Sequence, residues 1–147
     1  MAVSIDDIDR RIISVLEGDG RIAMVDLAEK VGLSATPCLR RVKRLEAEGV
    51  IERYAAVIDR AKLGQGLQAF VQVSLADHAE ETVAAFQRAL LSRPEVVNCW
   101  ATSGATDFLL HVVTSDLEAY GEFALKALLR MPGVKDTRSS FVLSVLK

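Results

Sequence analysis

Residues 24–48, MVDLAEKVGLSATPCLRRVKRLEAE, constrain the fold more than any other stretch of the chain. A short apolar-periodic run (Val25, Leu27, Ala28, Val31) meets Gly32, and Ser34 opens a second run. Gly32 falls where a helix end commonly turns through positive φ. Ser34 falls at an N-cap, where its hydroxyl would accept an orphan N–H of the next turn. Pro37 lies within that first turn, where a missing N–H costs little. Two helices joined by a tight glycine-containing turn form the helix-turn-helix pattern.

At 3.6 residues per turn the second helix sorts into faces. Cys38, Leu39, Val42 and Leu45 gather on one side and are expected in the core. Thr36, Arg40, Lys43, Arg44 and Ala47 point away, and Arg41 lies on the border. Glu46 projects between Leu39 and Val42, so the last turn is expected to open and let its carboxylate reach water. Four cations fall in the five residues from Arg40 to Arg44. Small residues (Ala35, Thr36, Pro37) lead the helix, which suits entry into a DNA major groove. The candidate DNA-binding residues are therefore Ser34, Thr36, Pro37, Arg40, Arg41, Lys43 and Arg44. Arg40 and Arg44 are candidates for base edges or phosphates, Arg41 and Lys43 for phosphates. A lone basic helix is more often a solvated amphipathic face; the preceding helix, turn and cap favour DNA.

The 147 residues can form one ordinary domain or two small ones. Half are apolar and no tract is of low complexity, so a core is expected. No apolar run reaches about 18 residues, so no membrane span is expected. The acidic start, MAVSIDDIDRR, lacks the order of a signal peptide, and Cys38 and Cys99 have no metal-like spacing. Reduced thiols and a cytoplasmic protein are the expectation. Net charge is −2, with 10 basic and 11 acidic side chains in residues 1–60 and 8 and 9 in 61–147. The positive charge is thus local to residues 40–44. Long-range attraction to DNA would be slight, which argues for a dimer carrying two basic stripes.

The first helix is predicted from Ser4 to Glu17, started by a capping box at Ser4/Asp7 or at Asp6/Asp9, with Ile8, Ile12, Val15 and Leu16 as its apolar stripe. The second begins near Ala23 or Met24 without a good capping side chain. After Gly49, the residues Val50, Ile51, Tyr54, Ala56 and Ile58 predict an extended wing or strand, and Asp59–Gly66 a hinge. The predicted domains are 1–59 and 60–147. The second contains a repeat offset by 38 residues: helix Glu81–Leu91 then Pro94, Val96, Val97, and helix Leu117–Leu129 then Pro132, Gly133, Val134. Strands Leu67–Leu75 and Asp107–Thr114 precede the two helices. The order βαββαβ is the ferredoxin-like double unit, so the fold class is α+β. Strand 107–114 is apolar on both faces (Phe108, Leu110, Val112 and Leu109, Val113), while the helices cover one; self-association through the bare face is expected. In the joint TSGATDF, Gly104 permits a sharp turn or a close ligand, and Asp107 can start a strand, cap the loop or bind a cation.

These residues resemble the Lrp/AsnC (feast/famine) family of transcription regulators over almost the whole chain, from about Asp6 to Leu146. The similarity is carried by IDRRIISVL and DGR, LAEKVGLS, TPCLRRVKRLEAEGVI, SGATDFLL with its G-x-x-D pattern, and LLRMPGVKDTRSSFVL. One departure is Ala23, where many relatives have Ser or Thr. The resemblance implies an N-terminal winged helix-turn-helix DNA-binding domain and a C-terminal ferredoxin-like effector-binding domain. It further implies dimers assembled into tetramers or octamers, with an amino acid or related molecule as effector and no other cofactor. The effector would lie between dimers beside the G-x-x-D loop, against Thr102, Ser103, Gly104 and Asp107, with Thr137, Ser139 and Ser140 as weaker candidates. Backbone N–H groups would suit a carboxylate and Asp107 an ammonium.

The alternative is an enzyme similar to siroheme decarboxylases, which share both fold halves. Their chemistry calls for basic or histidine side chains around a tetrapyrrole, and this chain has only His78 and His111. No nucleophile triad, metal-ligand pair or phosphate loop points to a catalytic residue. The expected function is therefore a sequence-specific DNA-binding regulator, not an enzyme.

Overall fold

A computed structural model describes residues 3–146, which divide after Val57 into two compact units. The first unit holds α1 (Asp7–Gly18), α2 (Met24–Val31) and α3 (Ala35–Ala47). Helix α1 starts with the Asp6/Asp9 capping box, one of the two predicted alternatives. Helix α2 starts at Ala23 with no side-chain cap, and Gly32 ends it at φ 75°. Ile12, Leu27, Ala28, Val31, Cys38, Val42 and Leu45 form the core of this unit.

Three expectations for the cap and the apolar side of α3 need correction. Ser34 is its N-cap, but the hydroxyl makes no capping bond. A capping side chain bonds the N–H of the second or third helical residue, and the third here is Pro37, which has none. Leu39 is 40% exposed instead of core, because Cys38, Val42 and Leu45 already fill the buried stripe. Glu46 shares the exposed edge with Leu39, so its carboxylate reaches solvent without any opening of the helix and accepts the Tyr54 hydroxyl at 2.8 Å. Past α3, the Val50 and Ile51 N–H groups return to the Leu45 carbonyl at 2.9 and 3.1 Å. Residues 52–58 pair with no strand among the described residues.

The second unit runs β1 (Leu67–Leu75), α4 (Glu80–Leu91), β2 (Val96–Ala101), β3 (Phe108–Thr114), α5 (Leu117–Glu122) and β4 (Val134–Phe141). The sheet order is β2-β3-β1-β4, antiparallel throughout, which is the predicted βαββαβ arrangement. Ala69, Val71, Val73, Phe108, Leu110 and Val112 on one face pack against Phe86 and Leu90 of α4 and against Tyr120, Phe123 and Leu128. The predicted helix 117–129 is not one α-helix. Beyond Glu122 it widens into a π turn (Phe123–Ala127) and closes in a 3₁₀ turn (Leu128–Arg130). Phe123 and Leu128 are five residues apart, about 1.4 α-helical turns, which would put them on different sides. A π turn bonds i to i+5 and brings both into the core, at 2% and 0% exposure.

The opposite sheet face carries Phe70 at 39% and Trp100 at 46% exposure, with Phe70 stacked on His111 at 4.9 Å. At the start of β4, Gly133 has φ 75°, and an added Cβ would collide with Thr82 Cγ2 on α4. Gly133→Ala is expected to cost about 1–3 kcal/mol from the strained backbone alone. Urea unfolding checks it: an unchanged midpoint contradicts this packing.

Candidate nucleic-acid interface and ligand pocket

The basic residues of α3 fall into two groups. Arg40 and Lys43 are exposed, and neither has an ion pair among the described residues. Arg41 and Arg44 are tied to α1. Arg41 Nη1 donates to Asp6 Oδ2 at 2.6 Å and to Asp9 Oδ1 at 2.8 Å, and Arg44 Nη2 donates to Asp9 Oδ2. The expected outward projection of Arg44 is therefore corrected: it reaches sideways to a side chain with no solvent exposure. Its Nε is buried and lacks a hydrogen-bond partner among the described residues.

The capping box sets both carboxylates in place. Asp6 Oδ1 accepts the Asp9 N–H at 2.8 Å, and Asp9 Oδ2 accepts the Asp6 N–H at 3.1 Å. The Asp9 N–H and the Arg41 guanidinium pull the Asp6 carboxyl down to about 2. For Asp9, burial pushes upward, but Arg41, the Asp6 N–H and Arg44 outweigh it and hold the carboxyl below its usual range. Both are ionised at neutral pH. The sequence offered Asp9 as a capping-box residue but not as the acceptor of Arg41 and Arg44, although its place one turn before Ile12, on the face assigned to the core, was a signal. Arg40, Arg41, Arg44 and Asp6 line a hollow of about 280 Å³. Ser34 and Thr36 are exposed at the leading end, and Pro37 is half-buried.

In the second unit, a hollow of about 450 Å³ opens beside the β2–β3 loop. Its walls are Gln72 and Ser74 of β1, Thr102, Ser103, Ala105 and Thr106 of the loop, Leu109 of β3, and Asp136 and Arg138 of β4. Strand register explains this set, since Gln72 lies between Leu109 and Arg138, and Ser74 lies beside Asp136. Of the residues predicted for an effector, Thr102 and Ser103 line the hollow; Gly104, Asp107, Thr137, Ser139 and Ser140 do not. Thr137 and Ser139 pair with Val73 and Val71, whose side chains face the helices, and Ser139 Oγ is hydrogen-bonded to the Tyr120 hydroxyl. Ser140 pairs with Phe70, farther along the bare face.

Asp107 has a structural task. Its Oδ2 accepts the Leu75 N–H at 2.7 Å, and its Oδ1 lies 2.7 Å from His78 Nε2. The Leu75 bond, then His78, hold its carboxyl below the usual range. With the Thr102 N–H donating to the Asp107 carbonyl at 2.9 Å and Gly104 at φ 115°, the loop is pinned to the end of β1. Asp136 and Arg138 were missed by sequence reading, although β4 alternates them with Thr137. Neither has an ion pair among the described residues, which leaves one charge of each sign free in the hollow.

A larger hollow, about 580 Å³, contains Arg93, Glu95, Glu122 and Lys126. There the charges already pair with each other, Arg93–Glu95 at 2.9 Å and Lys126–Glu122 at 2.5 Å. Among the described residues, no three His, Cys, Asp or Glu side chains are grouped to hold a metal ion. No helix there is long and apolar enough to cross a membrane.

A helix-turn-helix unit with an outward cationic edge, followed by a ferredoxin-like unit with a polar pocket, defines a ligand-binding DNA regulator. Comparison with known proteins agrees. Residues 5–52 match the winged helix-turn-helix DNA-binding model, and residues 68–147 match the Lrp/AsnC ligand binding domain model. The chain is 42% identical over 139 residues to the Bkd operon transcriptional regulator of Pseudomonas aeruginosa, covering 95% of this chain and 91% of that one. It is 41% identical over 143 residues to the leucine-responsive regulatory protein of Escherichia coli, covering 97% and 87%. A transcriptional regulator from Neisseria meningitidis, solved in complex with L-methionine, superposes with a TM-score of 0.92 at 41% identity, covering 98% and 93%. An AsnC family regulator from Agrobacterium tumefaciens gives 0.88 at 37% identity, covering 97% and 93%. The chain belongs to the Lrp/AsnC family of transcription regulators. These relatives favour the regulator over the siroheme-decarboxylase alternative.

Proposed function

We propose that this chain binds DNA through α3 as a homo-oligomer in the cytoplasm, and that an amino acid in the β2–β3 loop pocket changes how its subunits assemble. The observation that carries the effector reading is the uncommitted pair Asp136 and Arg138. Residues two apart on a strand are about 6–7 Å apart on one face, a span suited to an ammonium and a carboxylate on one carbon. Arg138 takes the carboxylate by charge-assisted hydrogen bonds and Asp136 the ammonium. Thr102 and Ser103 add neutral polar contacts, while Asp107 and Gly104 act by shaping the loop. L-methionine, bound by the Neisseria meningitidis relative, is the first amino acid to test.

On the DNA side, Arg40 and Lys43 supply the free charge, with Thr36, Pro37 and Ser34 at the entering end. A stripe of two free cations is weak alone, so a dimer pairing two such helices over successive major grooves fits the chain's net charge of −2. The bare sheet face with Phe70, His111, Leu109 and Trp100 is the surface proposed to join subunits. Further assembly into tetramers or octamers is the level on which the effector acts, because a ligand shifts only an equilibrium whose states it binds unequally.

Gel-shift titration tests the DNA side: Arg40→Ala is expected to lose about 1–3 kcal/mol of affinity at a preferred site, and equal binding overturns the docking. Calorimetry with L-methionine, paired with sedimentation of the same samples, tests the coupling. Saturable binding with a change in assembly is expected; saturable binding with fixed assembly and fixed DNA affinity overturns it.

A further inference from the structure

Four cations in five residues look like one DNA-binding stripe, yet α1 neutralises half of it. Asp6, Asp9, Arg41 and Arg44 carry two charges of each sign, and three ion pairs link them. The carboxylates cannot swing away, because each also accepts the other's backbone N–H in the capping box. Arg44 reaches sideways, with 40% of its side chain still in water, its Nη2 on the fully buried Asp9 side chain and its buried Nε 3.9 Å from Glu48 Oε2. Arg41 spends one nitrogen on both carboxylates.

We infer that Asp9, with Asp6, is a positioning residue of DNA recognition: the two carboxylates lock Arg41 and Arg44 into an electroneutral clamp that fixes α3 against α1, leaving Arg40 and Lys43 as the helix's phosphate- and base-contacting cations. This rests on the proposal that α3 is the DNA-reading helix. Two consequences separate the clamp from an ordinary buried ion pair. The number of phosphates neutralised per subunit is smaller than the basic residues of α3 imply. Indiscriminate affinity is suppressed, so the ratio of specific to non-specific binding rests on the clamp staying closed.

The slope of log affinity against log salt reads the first consequence, changing by about 0.9 for each phosphate neutralised. Fluorescence anisotropy of the full-length protein would use two duplexes three helical turns long. One has mixed sequence; the other is selected from a random pool by the wild-type protein. Arg40→Gln is expected to flatten the slope by about 0.9 per bound subunit. Asp9→Asn gives the clamp one net positive charge and is expected to steepen it by a similar amount, while lowering the ratio of selected to mixed-sequence affinity. The charge-balanced double variant Asp9→Asn/Arg44→Gln is expected to keep the wild-type slope. Asp6→Asn serves if changes at Asp9 prevent folding, since asparagine caps a helix as well as aspartate does; it too is expected to steepen the slope.

A double variant that flattens the slope as Arg40→Gln does would overturn the inference, because Arg44 would then be meeting phosphate. So would wild-type slopes in both Asp6→Asn and Asp9→Asn beside a flattened Arg40→Gln, and in that case the DNA role of α3 survives. An unchanged slope in Arg40→Gln would instead remove that role, and the clamp's part in recognition with it.

Discussion

Asp9→Ala is expected to destabilise the N-terminal unit by about 2–3 kcal/mol, less than a fully buried pair would cost. Two guanidiniums would lose their shared acceptor at a position with no solvent exposure. The discount arises because Arg41 and Arg44 keep 28% and 40% of their side-chain surface in water, where an ion pair is worth less. Loss of Asp9 also breaks one arm of the α1 capping box. Amide hydrogen exchange in α1 and α3 measures it locally, and unchanged protection would contradict the arrangement. Acid acts on the same groups. Asp6 is held at about 2, below the ordinary aspartate range, and Asp9 is lowered too. Their folded pKa values lie below the unfolded ones, so their stabilisation is complete above about pH 4. It is lost as pH falls toward 2, not near neutrality.

At the proposed amino-acid site, Arg138→Ala is expected to weaken binding of L-methionine, the first ligand to test, by roughly 10- to 100-fold, as loss of a hydrogen-bonded charge partner commonly does. Thr137→Ala, one residue earlier, is expected to leave it within about two-fold, because alternate strand residues face opposite sides of the sheet. Calorimetry on the two variants makes the comparison. Equal effects would show that the pocket does not use the β4 face on which Arg138 lies. A large effect at Thr137 alone would move the ligand to the helix-covered side.

Local patterns in the chain were legible where a contact obeys a short period. Gly32 and the Asp6/Asp9 box mark helix ends by residue type, and β1 follows its alternating pattern over the predicted residues Leu67–Leu75. Ser34 showed where α3 begins, but its unmade bond depended on Pro37 occupying the donor position. The π turn was hidden because Phe123 and Leu128 reach one core by a five-residue step that neither helical nor strand periodicity anticipates. Arg44 read as outward because its partner lies 35 residues back in α1. At the candidate pocket, Thr102 and Ser103 were named from the resemblance to the family's G-x-x-D loop, and both line the hollow. Arg138 and Asp136 required knowing which parity of β4 lies beside Gln72, a fact of register between strands far apart in the chain. Asp107, named for a ligand from the family resemblance, has its carboxylate on the Leu75 N–H at the end of β1, a contact 32 residues away in sequence.

The most direct test is the DNA affinity of the double variant Arg40→Ala/Lys43→Ala, measured beside the wild-type protein on the selected duplex. Helical content and thermal stability are expected to match the wild type, since neither side chain has an ion pair among the described residues, and affinity to fall by roughly 100-fold or more. A folded double variant that binds the duplex as tightly as the wild type would mean that α3 does not present its outer edge to DNA.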